Sequence, residues 1–287
     1  MPMVDAVTYA IPFFLLFIAV EAVSFRYSPD GDQRGYDAKD SITSLTMGAG
    51  YSVVMFFWKF LTVVVFAGAF TLSPLELSPT NPLTWILLVV LDDFFYYWYH
   101  RTHHRVRVLW ASHVVHHSSE YFNFTTALRQ PWTALTSAPF WIPLALVGIP
   151  PWMILLQQSL NLIYQFFIHT ERVQFLPRPI EFLFNTPSHH RAHHGSDPRY
   201  LDCNYGGVFI VWDRVFGSFV PETTAVTYGL TSNIKTFNPV KVAFHEYASI
   251  GRDVSHAPRW RDKLGYVFGP PGWSPTESAE HDTVASG

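Results

Sequence analysis

The sequence has little charge and almost no cysteine. Charged residues make up 14% of the 287 residues and the formal net charge is −3, which argues against a nucleic-acid-binding protein. Cys203 is the one cysteine, so an internal disulfide and a thiolate metal cluster are excluded. The nucleotide-binding pattern Gly-x-Gly-x-x-Gly and a haem-binding domain are also missing. Flavin, nicotinamide and haem are therefore not expected in their usual sites.

Hydrophobic residues, by contrast, make up 49% of the chain and aromatic residues 17%, and the mean hydropathy is positive at +0.13. This composition is typical of a membrane protein. Long apolar stretches predict five membrane-inserted helices, at residues 4–25, 41–72, 83–99, 132–147 and 152–168, the last two forming a hairpin. We predict an all-α fold, a multi-pass integral membrane helical bundle with a cytosolic histidine-rich lobe.

The chain is predicted to form a single membrane domain at residues 1–275, with a catalytic core at about 83–220 and a disordered tail at 276–287. Its orientation follows from the positive-inside rule, because arginines flank the histidine motifs and two loops on the opposite side have no lysine or arginine. The motifs are therefore expected on the cytoplasmic face, of the inner membrane in a bacterium or the endoplasmic reticulum in a eukaryote. The arginines are Arg101, Arg105, Arg107, Arg129, Arg172, Arg178, Arg191 and Arg199.

Histidines are concentrated in three short motifs: of 14 in the chain, 11 lie between His100 and His194. Within each motif the spacing is i, i+4 or i, i+3, i+4, which places the imidazoles on one side of a helix. Imidazole suits iron, zinc, copper and nickel, and the zinc-protease pattern His-Glu-x-x-His is absent. Eight ligands exceed the needs of one ion and indicate two. They are His100, His104, His113, His116, His117, His190, His193 and His194.

Three further residues are candidates for the same centre. His169 follows the last apolar stretch and is either another ligand or an interfacial residue. Asp93 precedes His100 by two helical turns and is predicted to accept the second N–H of a metal-bound imidazole, the alternative being a cap or membrane-surface contact. Glu120 is a second acidic residue that could balance the charge of the metals. Residues 204–221 are either an amphipathic cap over the site, lying along the membrane interface, or packing within the cytosolic lobe.

Longer motifs around these histidines carry a family resemblance. The segments D-F-F-Y-Y-W-Y-H-R, L-W-A-S-H-V-V-H-H-S-S-E, N-T-P-S-H-H-R-A-H-H-G and N-Y-G-G-V-F-I-V-W-D-R-V-F-G-S-F resemble the fatty acid hydroxylase and sterol desaturase superfamily. Within it, residues 37–275 look most like the alkylglycerol monooxygenase branch. The sequence departs from the animal members of that branch at Arg105, where they have glutamate, and in lacking their long hydrophobic extension after the Gly-Trp pair.

The resemblance implies a function for the motifs. The eight clustered histidines would be ligands of two iron ions, His169 would be another ligand, and His189 would lie just outside the ligand shell. The enzyme would be a dioxygen-dependent lipid monooxygenase acting on an alkylglycerol ether, a fatty acyl chain or a sterol. Its partners would be the lipid and either an electron-donor protein or a diffusible reductant such as a reduced pterin. The alternatives are a desaturase with the same centre and, in a different class, a membrane metal-binding or transport protein.

Overall fold

A computed structural model describes residues 6–133 and 136–275 of the chain. Within these ranges lie twelve α-helices, a 3-10 turn at Ala138–Phe140 and two isolated β-bridges, with no strand. The prediction of an all-α fold is therefore confirmed for the described residues. The predicted disordered tail at 276–287 lies outside them.

Helices α1 (Ala6–Tyr27) and α2 (Ala38–Thr71) are long and apolar enough to cross a membrane. Asp37 caps α2 by accepting a hydrogen bond from the Asp40 N–H at 2.9 Å. At 34 residues α2 is about 51 Å long, which exceeds the roughly 30 Å of a bilayer core. In the first three turns of α2, Asp40 and Met47 are buried. Farther along the helix, Phe56 and Phe57 are exposed. The helix therefore begins in the polar part of the molecule and continues as a candidate span.

Helices α3 (Pro82–Arg105) and α7 (Pro151–Ile168) were predicted as spans and pack against each other. Part of their shared face is polar. Asp92 Oδ2 accepts a hydrogen bond from Asn161 Nδ2 at 3.0 Å, and the Tyr96 hydroxyl donates to Gln165 Oε1 at 2.7 Å. These hydrogen bonds fix the relative position of the two helices. Both helices carry histidines at or near their C-terminal ends.

The prediction of a membrane helix at 132–147 was wrong. Within the described part of this segment the structure has a 3-10 turn at Ala138–Phe140 and the five-residue helix α6 at Ile142–Leu146. Pro139 and Pro143 explain the break, because proline has no N–H to donate and disfavours helical backbone in the residue before it. Leu144 and Ala145 are fully buried. The apolar character of this segment therefore serves packing.

The remaining helices surround the histidine motifs. Helix α4 (Arg107–His117) follows α3 after a break at Val106, and four short helices complete this layer: α5 (Phe124–Ala127), α8 (Arg178–Leu183), α9 (Pro187–His193) and α10 (Val211–Val215). Asn204, Tyr205, Ile210 and Asp213 have no exposed surface. This burial supports the packing interpretation of residues 204–221.

Helices α11 (Pro239–His256) and α12 (Trp260–Phe268) pack on α4. Arg107, in the first turn of α4, forms ion pairs with Glu246 and Asp253 of α11, each at 2.7 Å. The Arg107 backbone N–H also donates to the Gly269 carbonyl at 2.9 Å. One residue of α4 therefore attaches both C-terminal helices.

A buried ion pair joins α2 to the segment after α5. Arg129 Nη1 donates to Asp40 Oδ1 at 2.7 Å, and the Ser119 hydroxyl donates to Asp40 Oδ2 at 2.6 Å. The two charged side chains are 1% and 4% exposed. Removing one member of such a pair leaves the other charge buried without compensation.

We predict that Arg129→Met lowers the free energy of unfolding by about 3–5 kcal/mol, because Asp40 would lose its counter-charge in a buried position. Denaturant unfolding of the purified, metal-free protein in detergent measures this loss. Arg199→Met is the control: Arg199 is exposed at the surface, so its unfolding curve should match that of the wild type. Equal stability of the Arg129 variant and the wild type would contradict the prediction.

Candidate metal centre

Nine buried histidines meet at the ends of α3, α4, α7 and α9. Their possible ligand atoms form two groups, and within each group all of these atoms lie within 4.8 Å of one another. The five-histidine group consists of His100, His104, His113, His117 and His193. The four-histidine group consists of His116, His169, His190 and His194. Every residue predicted as a ligand, including His169, lies in one of these groups.

Each His-x-x-His-His motif is divided between the two groups. His113 and His117 belong to the five-histidine group and His116 to the four-histidine group. His190 and His194 belong to the four-histidine group, whereas His193 belongs to the five-histidine group. Residues i and i+4 differ by about 40° around a helix, and residue i+3 lies on the other side of i. Each motif therefore contributes to two neighbouring groups.

Short distances between ring nitrogens fit metal coordination. Nε2 of His113 lies 2.9 Å from that of His100 and 3.1 Å from that of His117, while Nε2 of His169 lies 3.1 Å from that of His116 and 2.9 Å from that of His190. With metal–nitrogen bonds of about 2.1 Å, two ligands at a right angle lie ~3.0 Å apart. The two groups therefore fit one ion each.

Backbone carbonyls orient three of the rings. Nδ1 of His100 lies 2.9 Å from the Tyr205 carbonyl, that of His169 2.6 Å from the Gln165 carbonyl, and that of His193 2.7 Å from the Cys203 carbonyl. A carbonyl can only accept, so Nδ1 carries the proton in each ring and Nε2 is left with a lone pair for a metal. His193 Nε2 is buried and has no hydrogen-bond partner within the described residues.

The electrostatics favour the ligand form of these imidazoles. Burial lowers the pKa of all nine rings from the usual 6.5, to about 3 for His169 and to about 4 for His193. Desolvation disfavours the charged imidazolium, and the neighbouring rings add repulsion to it. At neutral pH the rings are uncharged. A divalent metal binds that form without displacing a proton.

Asp93 contacts a loop instead of a site imidazole. Its carboxylate accepts hydrogen bonds from the Val208 N–H at 2.6 Å, the Phe209 N–H at 3.1 Å and Trp212 Nε1 at 3.0 Å. This loop follows Tyr205, whose carbonyl orients His100. The carboxylate therefore reaches the centre through the loop, and its effect on metal binding stays a prediction.

Gly207 lets this loop approach α3 and α7. A Cβ atom there would lie 2.8 Å from Tyr96 Cδ1, 2.9 Å from Asp93 Oδ1 and 3.0 Å from Asn161 Oδ1. Each of these distances is too short for an ordinary contact, so a side chain would push the loop away. The Gly-Gly pair in N-Y-G-G is the sequence signal for this close approach.

The other candidates lie outside the two groups. Glu120 is exposed at the surface, whereas the nine histidines are buried. His189 is buried beside α8, where its Nε2 lies 3.0 Å from Glu181 Oε2. His103 is also buried, but its nitrogens lie 2.8 Å from the Tyr99 carbonyl and 2.9 Å from the Thr136 hydroxyl, so hydrogen bonds occupy both.

Several residues that support the site could not be predicted from the sequence. Asp213 accepts hydrogen bonds from the Tyr205 and Gly206 N–H groups at 2.8 and 2.7 Å, which fixes the carbonyl that orients His100. Asp202 Oδ1 lies 3.7 Å from His104 Nδ1, and its Oδ2 lies 3.4 Å from Arg105. Asp213 stands in a Trp-Asp-Arg sequence that gave no sign of this role, and backbone carbonyls leave no sequence signal at all.

The described fold and site together define a class: an all-helical protein with two adjacent groups of buried histidines that could each hold a metal ion, joined to helices that could span a membrane. The sequence profile of the fatty acid hydroxylase family matches residues 85–218, a range that contains all nine histidines. This part of the chain is therefore similar to the fatty acid hydroxylase family.

Individual relatives agree with this similarity. The chain is 40% identical to the alkylglycerol monooxygenase of Homo sapiens over 276 residues, which are 94% of this chain and 60% of the relative. It is 46% identical to the alkylglycerol monooxygenase of Xenopus tropicalis over 202 residues, 70% of this chain and 45% of the relative. It is 28% identical to the ornithine lipid hydroxylase OlsE of Rhizobium tropici over 144 residues, 47% of this chain and 41% of the relative.

The chain thus spans about three fifths of the length of the human relative. No solved structure gives a significant match.

We predict that His116→Ala lowers the metal content of the purified protein while leaving its helix content unchanged, because the four-histidine group would keep three ligands. Metal analysis and circular dichroism measure the two quantities. The control is His103→Ala, a buried histidine outside both groups, which should retain the wild-type metal content. Normal metal content in the His116 variant would remove His116 from the ligand set.

We also predict that Asp93→Asn weakens metal affinity by about 10- to 100-fold, the usual effect of removing support from a ligand shell. An amide has one acceptor oxygen, so it cannot accept on both sides as the carboxylate does. Competition with a chelator measures the affinity. Glu120→Gln is the exposed control and should bind metal like the wild type. Unchanged affinity in the Asp93 variant would restrict Asp93 to packing.

Proposed function

We propose that this protein is a membrane-bound, non-haem di-iron monooxygenase that inserts one oxygen atom from dioxygen into a lipid. The substrate class that fits best is a glycerol ether lipid, with a fatty acyl chain or a sterol as the other candidates. Two adjacent groups of buried, neutral histidines carry the proposal. Similarity to alkylglycerol monooxygenases over most of the chain supports the reaction and the substrate class.

The chemistry of the ligand set favours iron. Imidazole nitrogen suits iron, zinc and copper, and N–N distances of 2.9–3.1 Å fit right angles better than the wider angles of a four-coordinate zinc site. Iron bound in both groups would supply the electron transfer that dioxygen reduction and cleavage of a C–H bond require. The nine histidines would hold the ions, and the carbonyls of Tyr205, Gln165 and Cys203 would keep the rings aimed at them.

The overall reaction needs an external reductant. One oxygen atom enters the lipid and the other leaves as water, which consumes two electrons and two protons besides the substrate. We propose a diffusible donor such as a reduced pterin, or an electron-donor protein, because the sequence lacks the common flavin, nicotinamide and haem motifs. The protein itself would exclude water, since the nine histidines are each at most 8% exposed.

The proposed topology is multi-pass, with the metal centre on the cytoplasmic face. Leu77 in the loop between α2 and α3 donates its N–H to the Gly148 carbonyl at 2.9 Å, so this loop meets the turn before α7 at one end of the molecule. The histidines lie at the opposite ends of α3 and α7. Lipid would reach the centre from the bilayer alongside the exposed apolar faces of α1 and α2.

Labelled dioxygen tests the proposal. The iron-loaded protein in lipid vesicles should consume dioxygen with an alkylglycerol and a reduced pterin. It should release a fatty aldehyde that carries one labelled atom, because a carbon bearing both a hydroxyl and an ether oxygen breaks down as a hemiacetal. The His116→Ala variant is the inactive control, and His103→Ala should retain activity.

Other outcomes identify the alternatives. A new carbon–carbon double bond without label in the lipid would indicate a desaturase. Ion flux across the vesicle membrane without dioxygen uptake would indicate a metal transporter. A folded protein that binds no iron and shows neither dioxygen uptake nor ion flux would contradict the proposal.

A further inference from the structure

The C-terminal helix α12 exposes a stripe of large apolar side chains. Trp260, Leu264 and Phe268 are 66%, 45% and 61% exposed. They are spaced four residues apart, which places them along one side of the helix. Large apolar residues that share one exposed face mark a contact surface in most proteins.

Basic residues border this stripe on both sides. Arg261 and Lys263 lie one position after and one position before members of the stripe, about 100° around the helix in opposite directions, and both are exposed. Residues 235–268 contain six lysines and arginines against three acidic residues, a formal charge of +3 in a chain of −3. The segment is therefore basic in an acidic protein.

The three acidic residues of this segment are engaged in ion pairs. Glu246 and Asp253 both bind Arg107 at the start of α4, and Asp262 is 6% exposed and pairs with Arg259. They therefore do not offset the exposed cations of Arg261 and Lys263. An apolar stripe flanked by cations is the pattern of a helix that lies on an anionic membrane surface.

The position of these helices agrees with such a contact. The Thr43 hydroxyl on α2 donates to the Phe237 carbonyl at 3.2 Å, directly before α11. Thr43 precedes Tyr51, where the apolar part of α2 begins, by about 12 Å along the helix. Phe237, Val240 and Ile42 are 50%, 56% and 64% exposed, so exposed apolar residues continue from the candidate span onto α11.

We propose that α11 and α12 form a basic–aromatic surface that rests on the anionic lipid headgroups of the membrane crossed by α1 and α2. The apolar side chains would enter the headgroup region, and the cations beside them would bind lipid phosphates. The inference rests on the membrane location in the proposed function. The basic–aromatic surface consists of Val240, Lys241, Phe244, Trp260, Arg261, Lys263, Leu264 and Phe268.

A fluorescent probe tests the depth of this surface. Leu264→Cys can be labelled with an environment-sensitive dye, because Cys203 is buried. Leu201→Cys is the matched control, since Leu201 is 46% exposed against 45% for Leu264 and lies outside α11 and α12. In nanodiscs of phosphatidylcholine and phosphatidylglycerol that hold one protein each, iodide should quench the probe at 201 and lose its effect at 264. Equal quenching at both positions overturns the proposal.

The response to anionic and neutral lipids tests the role of the cations Arg261 and Lys263. Added phosphatidylglycerol should raise the unfolding temperature of the full chain in detergent more than phosphatidylcholine does. The double variant Arg261→Gln with Lys263→Gln should need roughly 25-fold more phosphatidylglycerol for the same rise, about fivefold for each cation. Arg199→Gln, an exposed arginine after α9, is the control and should respond like the wild type. Identical responses of the double variant and the wild type overturn the proposal.

Two measurements separate this proposal from the proposed function. Extraction at high pH reports whether the chain is embedded in the membrane, and metal content reports whether each variant is folded. An embedded, metal-loaded protein with an iodide-accessible probe at 264 contradicts only the basic–aromatic surface. A protein released by high pH contradicts the membrane location on which both depend. Protection at 264 that occurs only with two copies per nanodisc also overturns the lipid contact, because the partner would then be a second chain.

Discussion

The structure depends on keeping nine imidazoles uncharged in one small buried volume. Protonated rings would repel one another at ring-nitrogen separations near 3 Å and would lose their hydration, and burial accordingly lowers the pKa of every ring. The imidazoles that could bind a metal are therefore uncharged even without it. The backbone supplies what carboxylates supply in many other metal sites, because carbonyls accept the Nδ1 protons of His100, His169 and His193.

This use of carbonyls explains why the layer around the site is short-helical and irregular. A carbonyl inside a long helix is already bonded within that helix, whereas one at a helix end or in a loop is available. The Gln165 carbonyl lies in the last turn of α7, and those of Cys203 and Tyr205 lie in the loop after α9. Asp213 and Asp93 then fix that loop through its N–H groups. In this region the carboxylates therefore fix the backbone through its N–H groups, and the backbone carbonyls orient the imidazoles.

What could be predicted from the sequence was local. The spacing of the histidines, the all-α class and the ligand role of His169 as a candidate follow from helix periodicity and chain order, and the structure brings those residues together. The partners of Asp93 could not be predicted, because they belong to a loop more than a hundred residues away whose path depends on tertiary contacts. The prediction of a membrane helix at 132–147 was wrong for a different reason. It was based on the hydropathy of the side chains, whereas Pro139 and Pro143 interrupt the helical backbone.

The division of each His-x-x-His-His motif connects the helix geometry to the chemistry proposed for the site. Because i+3 and i+4 fall on opposite sides of residue i, α4 and α9 each contribute to both groups. A displacement of either helix would alter both groups at once, so the two sites cannot change their geometry independently. Arg107 attaches α11 and α12 to the first turn of α4. A displacement of the C-terminal helices would therefore reach α4, one of the two helices that the histidine groups share.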